Sequence, residues 1–417
     1  MWGLITVLVD SLIPRLKEIF ELSYFEAGLV QFAFFIAYAV VSIPAGDLLH
    51  KIGYKKGILL GLSIMGLGCL LFIPAASYRM FPLFLSGYFI LAAGMTILQV
   101  AANPFVTVLG DEQSASSRLN LSQAFNSLGA TIAPALGAIF ILSDHIKTSS
   151  EIRSLDEMAR EAYYTAEAAA VQTPFLSLAL ALFGLAVIVL SVKLPELLNT
   201  SAKTNYRTAL KDNKLKLGAI AIFLYVGAEV AVGSYLVNYF LDMNLAEIIR
   251  SNDTMRWMLS FFHSEIDNID NKAIVASFVV FYWGGAMVGR FIGSYLTRIY
   301  KPNVVLYVFS IMAIVFVVLS IFSTGLFSMW SVLAVGLFNS IMFPTIFSLA
   351  IEDLGELKPQ GSGVLCTAIA GGAFIPLIFG FFTDIAGFKF AFVIVILCYV
   401  YISFYGKKQP LLNKAAI

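Results

Sequence analysis

Two carboxylates, Asp10 and Glu229, fall in the middle of long apolar runs, where a charge is costly. Thr6 lies four residues before Asp10 and Trp2 four before Thr6, so the three share one helical face. An acid in such surroundings must be protonated, hydrated or bound to a mobile cation. Asp10 with Thr6 therefore reads as a cation-coupling site, and Asp10 as a ligand for Na+ if the ion is sodium; a proton needs only the carboxylate. Apart from Arg290, near the end of its run, the apolar interior holds no Lys, Arg or His. Neither acid has an evident basic partner in the sequence.

The same runs carry amides beside aromatic residues. Gln99 and Asn103 stack next to Pro104, Asn120, Gln123, Asn126 and Ser127 crowd one side of another run, Tyr225 precedes Glu229 by one turn, and Asn339 precedes Phe343 by one turn. Sugar hydroxyls both donate and accept, as amides do, and sugar C–H faces stack on rings. The substrate-binding set is Gln99, Gln123, Asn126, Asn339, Glu229, Tyr225, Phe343 and Trp2. Other polar and small residues have a structural reading. Asn120 lies near a membrane boundary, Gly285, Gly289 and Gly293 make a helix-packing stripe, and Pro104, Pro134 and Pro344 bend helices. Tyr282 and Trp283 read as packing, and His50, His145 and His263 as solvated loop residues. Cys69, Cys366 and Cys398 lack metal or disulfide spacing.

The elements that must position these groups are membrane spans. Apolar residues make up 59% of the 417 positions and charged ones 13%, with mean hydropathy +0.86. Soluble domains have roughly 45–50% and 25%. Runs near the ~20 residues needed to cross a bilayer lie at 2–19, 26–46, 58–76, 81–109, 120–143, 173–194, 217–241, 272–296, 304–323, 326–351, 364–383 and 389–405. The first has no basic leader or small-residue cleavage site and reads as a span, not a signal peptide. Residues 144–172 suggest a surface helix with a Ser154/Glu157 capping box, 195–216 a cytoplasmic linker, and 242–271 an amphipathic interfacial segment. Seventeen of the 27 Lys and Arg fall on the side of the linker and C-terminus, which puts both termini in the cytoplasm.

The two halves of the chain repeat. "GDLLHKI" at 46–52 answers "GSYLTRI" at 293–299, Pro104 answers Pro344, and Gly129-Ala130 with Pro134 answers Gly372-Ala373 with Pro376. The offsets are 247, 240 and 243 residues, one register. A parallel six-plus-six repeat places substrate near the midplane between halves. The expectation is an all-α membrane protein of twelve transmembrane helices in two six-helix halves, the major facilitator fold. Its parts are 1–194, the linker 195–216, the second half 217–406 and a cytoplasmic tail 407–417.

The runs "WGLITVLVDSLIP" at 2–14, "QVAANPFVTVLG" at 99–110, "SRLNLSQAFNSLGATIAP" at 117–134, "YVGAEVAVGSYL" at 225–236 and "FPTIFSLAIEDLG" at 343–355 carry a resemblance to a known family. The chain resembles the fucose permease and glucose/galactose transporter family of the major facilitator superfamily. The resemblance implies inward symport of a hexose or 6-deoxyhexose by alternating access, with Asp10 tied to the cation and Gln123 and Asn126 lining the sugar cavity. It also shows departures, since proton-coupled fucose permeases have Glu where this chain has Gln99 and a neutral residue in place of Glu229. Both differences favour the glucose/galactose branch. The substrate is then a small sugar, with Na+ or H+ co-transported and no cofactor. The protein reads as a monomer in a lipid bilayer, a bacterial inner membrane, without nucleic-acid partners. The alternative is a proton-coupled exporter of small amphipathic compounds on the same fold. Walker A, HExxH, GxSxG and dinucleotide motifs are missing, so an enzyme is not expected.

Overall fold

The computed structural model describes residues 3–7, 24–140, 154–198, 205–263 and 269–414. Apart from short turns and connecting stretches, these residues are helical. A hydrocarbon environment demands this, because every backbone N–H and C=O must be satisfied within the protein.

Helix α1 (Tyr24–Ser77) has 54 residues, and at 1.5 Å per residue it is far longer than one ~30 Å hydrocarbon core. Gly53 divides it, with φ 80° and ψ 167°, a conformation open to a residue without Cβ. The expected spans 26–46 and 58–76 are its two limbs. Spans four, five and six are α2 (Phe81–Val108), α3 (Ala115–Phe140) and α4 (Glu157–Ser191). The short α5 (Tyr206–Ala209) lies in the linker and α6 (Asn213–Asp242) is span seven. Two small helices, α7 (Leu245–Ser251) and α8 (Asp253–Leu259), occupy the segment read as interfacial. There Trp257 and Phe261 are exposed and pack edge to face, as aromatic anchors at a membrane surface do.

Span eight is split into α9 (Asn271–Phe278) and α10 (Val280–Ile299), and α11 (Pro302–Phe322) is span nine. Span ten is broken into α12 (Gly325–Asn339) and α13 (Met342–Ile351). Span eleven comprises α14 (Lys358–Thr367) and α15 (Gly371–Ala386), and α16 (Phe388–Lys414) is span twelve. Eight stretches of the described residues are long and apolar enough to cross a membrane. Two of them, 49 and 62 residues long, each hold two spans, and the amide-rich α3 is too polar to be counted among the eight. The first span lies largely outside the described residues.

Contacts group the chain into two compact units. The first comprises Met1–Val108, Leu128–Leu210 and Leu354–Ala368. Its core is aromatic: Phe72 stacks on Phe175 at 4.0 Å and meets Phe84 edge-on at 4.8 Å, among Met65, Cys69, Leu91 and Met95. Tyr206 of α5 donates its hydroxyl to the Ile43 carbonyl and lies against Gly46 and Gly363. Burial first, and then the Asp47 charge, hold this phenol above its usual pKa, so it stays a neutral donor.

The second unit comprises Leu109–Ser127, Lys211–Asp353 and Ile369–Ile417. Here the glycine stripe of α10 does what its spacing suggested. A methyl at Gly289 would overlap the Leu337 carbonyl, and one at Gly293 would overlap Ile341. The two backbones therefore approach as only small residues allow.

Three expectations need correcting. The cap of α4 is Asp156, which accepts from the Ala159 amide, and not the Ser154/Glu157 box. That helix also runs without interruption from the expected surface segment into span six, so the two are one element. His50 is buried inside α1 rather than solvated in a loop. The turn at Gly53 follows it by three residues and leaves it on a packed face.

Candidate functional site

The polar cluster of the second unit is organised around a broken helix. Pro344 has no N–H, so the carbonyl four residues earlier, on Ser340, loses its helical donor, and residues 340–341 turn instead. Arg290 of α10 supplies the missing donor: its Nε lies 3.1 Å from the Ser340 carbonyl. The rest of the guanidinium reaches two other helices. Nη1 donates to the Ser127 hydroxyl and lies 3.4 Å from the Gln123 carbonyl, both on α3. Nη2 forms an ion pair with Glu229 of α6 at 3.7 Å.

Both charged side chains are largely buried, with 13% and 14% of their surface exposed. Glu229 therefore does have a basic counter-ion, contrary to the expectation from sequence. The partner sits on another span, close enough only because the glycine stripe brings α10 against the break.

One turn from this pair, Asn339 ends α12 and is fully buried. Its Nδ2 donates to the hydroxyls of Tyr282 at 2.7 Å and Tyr399 at 3.4 Å. Tyr282 in turn lies 3.5 Å from the Glu229 main-chain carbonyl. Three buried polar atoms here, Asn339 Oδ1, Glu229 Oε1 and the Tyr225 hydroxyl, have no hydrogen-bond partner among the described residues. Glu229 Oε1 is nevertheless the atom paired with Arg290, and the Tyr225 and Glu229 side chains lie within hydrogen-bonding reach of each other. Buried polar atoms are rarely left unbonded, so this set has capacity to accept and donate. Phe343 is buried on α13 beside Phe347, with ring centroids 5.8 Å apart. Gln123 is buried and Asn126 half-buried on α3. Asn120 is structural, as expected, bonding the Ser116 carbonyl at 2.9 Å and the Thr345 hydroxyl at 3.1 Å.

A second polar cluster belongs to the first unit. Gln99 is buried on α2 and donates to the Tyr38 hydroxyl of α1 at 2.7 Å. Pro104 repeats the logic of Pro344, since it deprives the Val100 carbonyl of its helical donor. The Ser362 hydroxyl of α14 takes that place at 2.9 Å. Thr6 contacts the Met95 sulfur at 3.6 Å. Trp2 and Asp10 lie outside the described residues.

Sequence reading named Gln99, Asn339, Tyr225 and Glu229 but missed Tyr38, Tyr399 and Arg290 as their partners. It set Tyr282 aside as packing, whereas Tyr282 is both buried and bonded into the Asn339 network. A signal was available for Arg290 alone, as a lone cation in a run whose neighbouring span carries a lone acid.

Interrupted spans that hold amides, tyrosines and an ion pair inside a helical membrane protein define a polytopic carrier. The chain belongs to the Major Facilitator Superfamily, which matches residues 3–375, a family of transporters and not of enzymes. Within it, a glucose/galactose transporter of Brucella abortus is 49% identical over 97% of this chain and 90% of its own length. An L-fucose-proton symporter of Escherichia coli is 34% identical over 98% of this chain and 90% of its own. A crystal structure of the E. coli fucose:proton symporter FucP covers 98% of this chain and 95% of that one, with TM-score 0.85 and 32% identity. The resemblance read from the sequence runs is thereby confirmed, and the twelve-helix major facilitator fold with it.

Proposed function

We propose that the protein imports a hexose of the glucose/galactose kind by cation-coupled symport through alternating access. The observation that carries this reading is the amide–tyrosine network around Asn339, whose buried Oδ1 is left to accept a hydrogen bond. A hexose presents hydroxyls of both senses to such groups. Gln99, Gln123 and Asn126 complete the sugar-binding set, with Phe343 and Trp2 as its apolar surfaces. Asp10, assisted by Thr6, takes up and releases the driving cation, Na+ or H+. The two six-helix halves, 1–194 and 217–406, are the moving parts, joined by the linker 195–216. Both termini face the cytoplasm of a bacterial inner membrane, and the working unit is a monomer.

The experiment is counterflow of labelled hexoses into proteoliposomes, with sodium and proton gradients imposed separately. Hexose exchange accelerated by unlabelled glucose or galactose, and accumulation driven by one of the two gradients, is the expected result. Protein that exchanges no hexose but drives amphipathic compounds outward against a proton gradient would overturn it.

A further inference from the structure

The ion pair between Glu229 and Arg290 has a geometry that neutralisation alone does not require. A lysine ammonium would bring the same unit charge to the carboxylate as a single compact head. Here the guanidinium instead spreads over acceptors on three separate segments. These are the Ser340 carbonyl freed by Pro344, the Gln123 carbonyl and Ser127 hydroxyl of α3, and the Glu229 carboxylate of α6. Only a planar fork with several divergent donors meets all of them at once. The segment of α3 it grips, residues 123–127, is the stretch that carries Gln123 and Asn126.

We propose that Arg290 is a positioning residue of sugar transport: its guanidinium fastens the amide-bearing turn of α3 to α6 and to the break between α12 and α13, and so presents Gln123 and Asn126 to the sugar. Glu229 supplies the countercharge that lets the guanidinium stay in a low-dielectric interior. The inference rests on the hexose reading, and deepens it by naming a residue that acts through the binding set. A second contact of α3 with α10, six residues before Gln123, reports on the grip independently of sugar. Ser117 and Ser294 exchange reciprocal hydrogen bonds, at 2.7 and 3.0 Å, one turn along α10 from Arg290.

The test separates charge from fork. Arg290→Lys keeps the charge opposite Glu229 and loses the divergent donors. It should leave the melting temperature within a few degrees of wild type and raise the half-saturating hexose concentration in counterflow at least tenfold. Arg290→Gln should unfold readily, leaving Glu229 uncompensated, and Arg290→Gln/Glu229→Gln should recover thermal stability without recovering hexose affinity. Wild-type half-saturation in Arg290→Lys, or in the double variant, would reduce Arg290 to a mere counter-ion and overturn the proposal.

The sugar-independent arm uses Ser117→Cys, the native thiols Cys69, Cys366 and Cys398 all being buried. In that background Arg290→Lys should speed maleimide labelling at least tenfold, and an unchanged rate overturns the proposal. If wild-type protein exchanges no hexose, the sugar reading fails while the labelling rates still decide the grip on α3.

Discussion

Replacing Ser362 by alanine should destabilise the protein by about 1–3 kcal/mol, the cost of a buried polar group left without a partner. The reason lies in Pro104, which lacks the N–H that would close the helical bond to the Val100 carbonyl. The Ser362 hydroxyl fills that gap at 2.9 Å, and both residues have 0% exposure, so no water replaces it. A double-mutant cycle isolates this term. Pro104→Ala returns the helical donor to Val100, so Ser362→Ala should cost under ~0.5 kcal/mol in that background, for a coupling of roughly 0.5–3 kcal/mol. Whatever Pro104→Ala does to the helix bend is common to both arms and cancels. Unfolding midpoints of the four proteins in mixed detergent micelles supply the comparison. Additivity within ~0.5 kcal/mol would show that the hydroxyl does not stand in for the missing amide, and the same argument for Arg290 and Ser340 would lose its precedent.

Four further outcomes can be measured. Asp10→Asn should abolish gradient-driven hexose accumulation while leaving exchange intact; accumulation that persists would move the coupling role elsewhere, first to Glu229. In the wild type, linkage requires that the driving ion and the sugar tighten each other's binding by one common factor, so hexose affinity measured against sodium at fixed pH, and against pH without sodium, identifies the ion. Gln123→Ala should weaken hexose binding by about 1–3 kcal/mol, read by equilibrium binding, if the amide meets a hydroxyl; an unchanged affinity would make it helix glue. Tyr206→Phe removes the donor to the Ile43 carbonyl and should lower stability by about 0.5–1.5 kcal/mol, seen as a lower melting temperature, with no effect expected if that carbonyl is otherwise satisfied.

The spans were legible because lipid permits few alternatives: apolar runs of about twenty residues must be helices. Where one helix ends and the next begins was less legible. The limbs on either side of Gly53 look like separate elements in the sequence, yet they join through a single residue of positive φ. The boundary of α4 was missed for a related reason, since a polar surface turn and an apolar span fuse without any change in backbone geometry. The site was legible as a list of residue types. Its pairings were not, because hydrogen bonds such as Gln99 to Tyr38 or Asn339 to Tyr399 join positions on different spans, whose rotations no periodicity specifies.

The prolines mark the limit most clearly. Each span proline names, from sequence alone, the carbonyl four residues earlier that needs an outside donor: Val100 for Pro104 and Ser340 for Pro344. The repeat therefore foretells matching needs in the two halves, but the donors differ. A neutral hydroxyl from Ser362 serves the first and a charged guanidinium from Arg290 the second. A guanidinium at that depth requires an anion nearby, and Glu229 lies 3.7 Å away. The acid that looked solitary in the sequence thus follows, through Arg290, from the proline that breaks span ten.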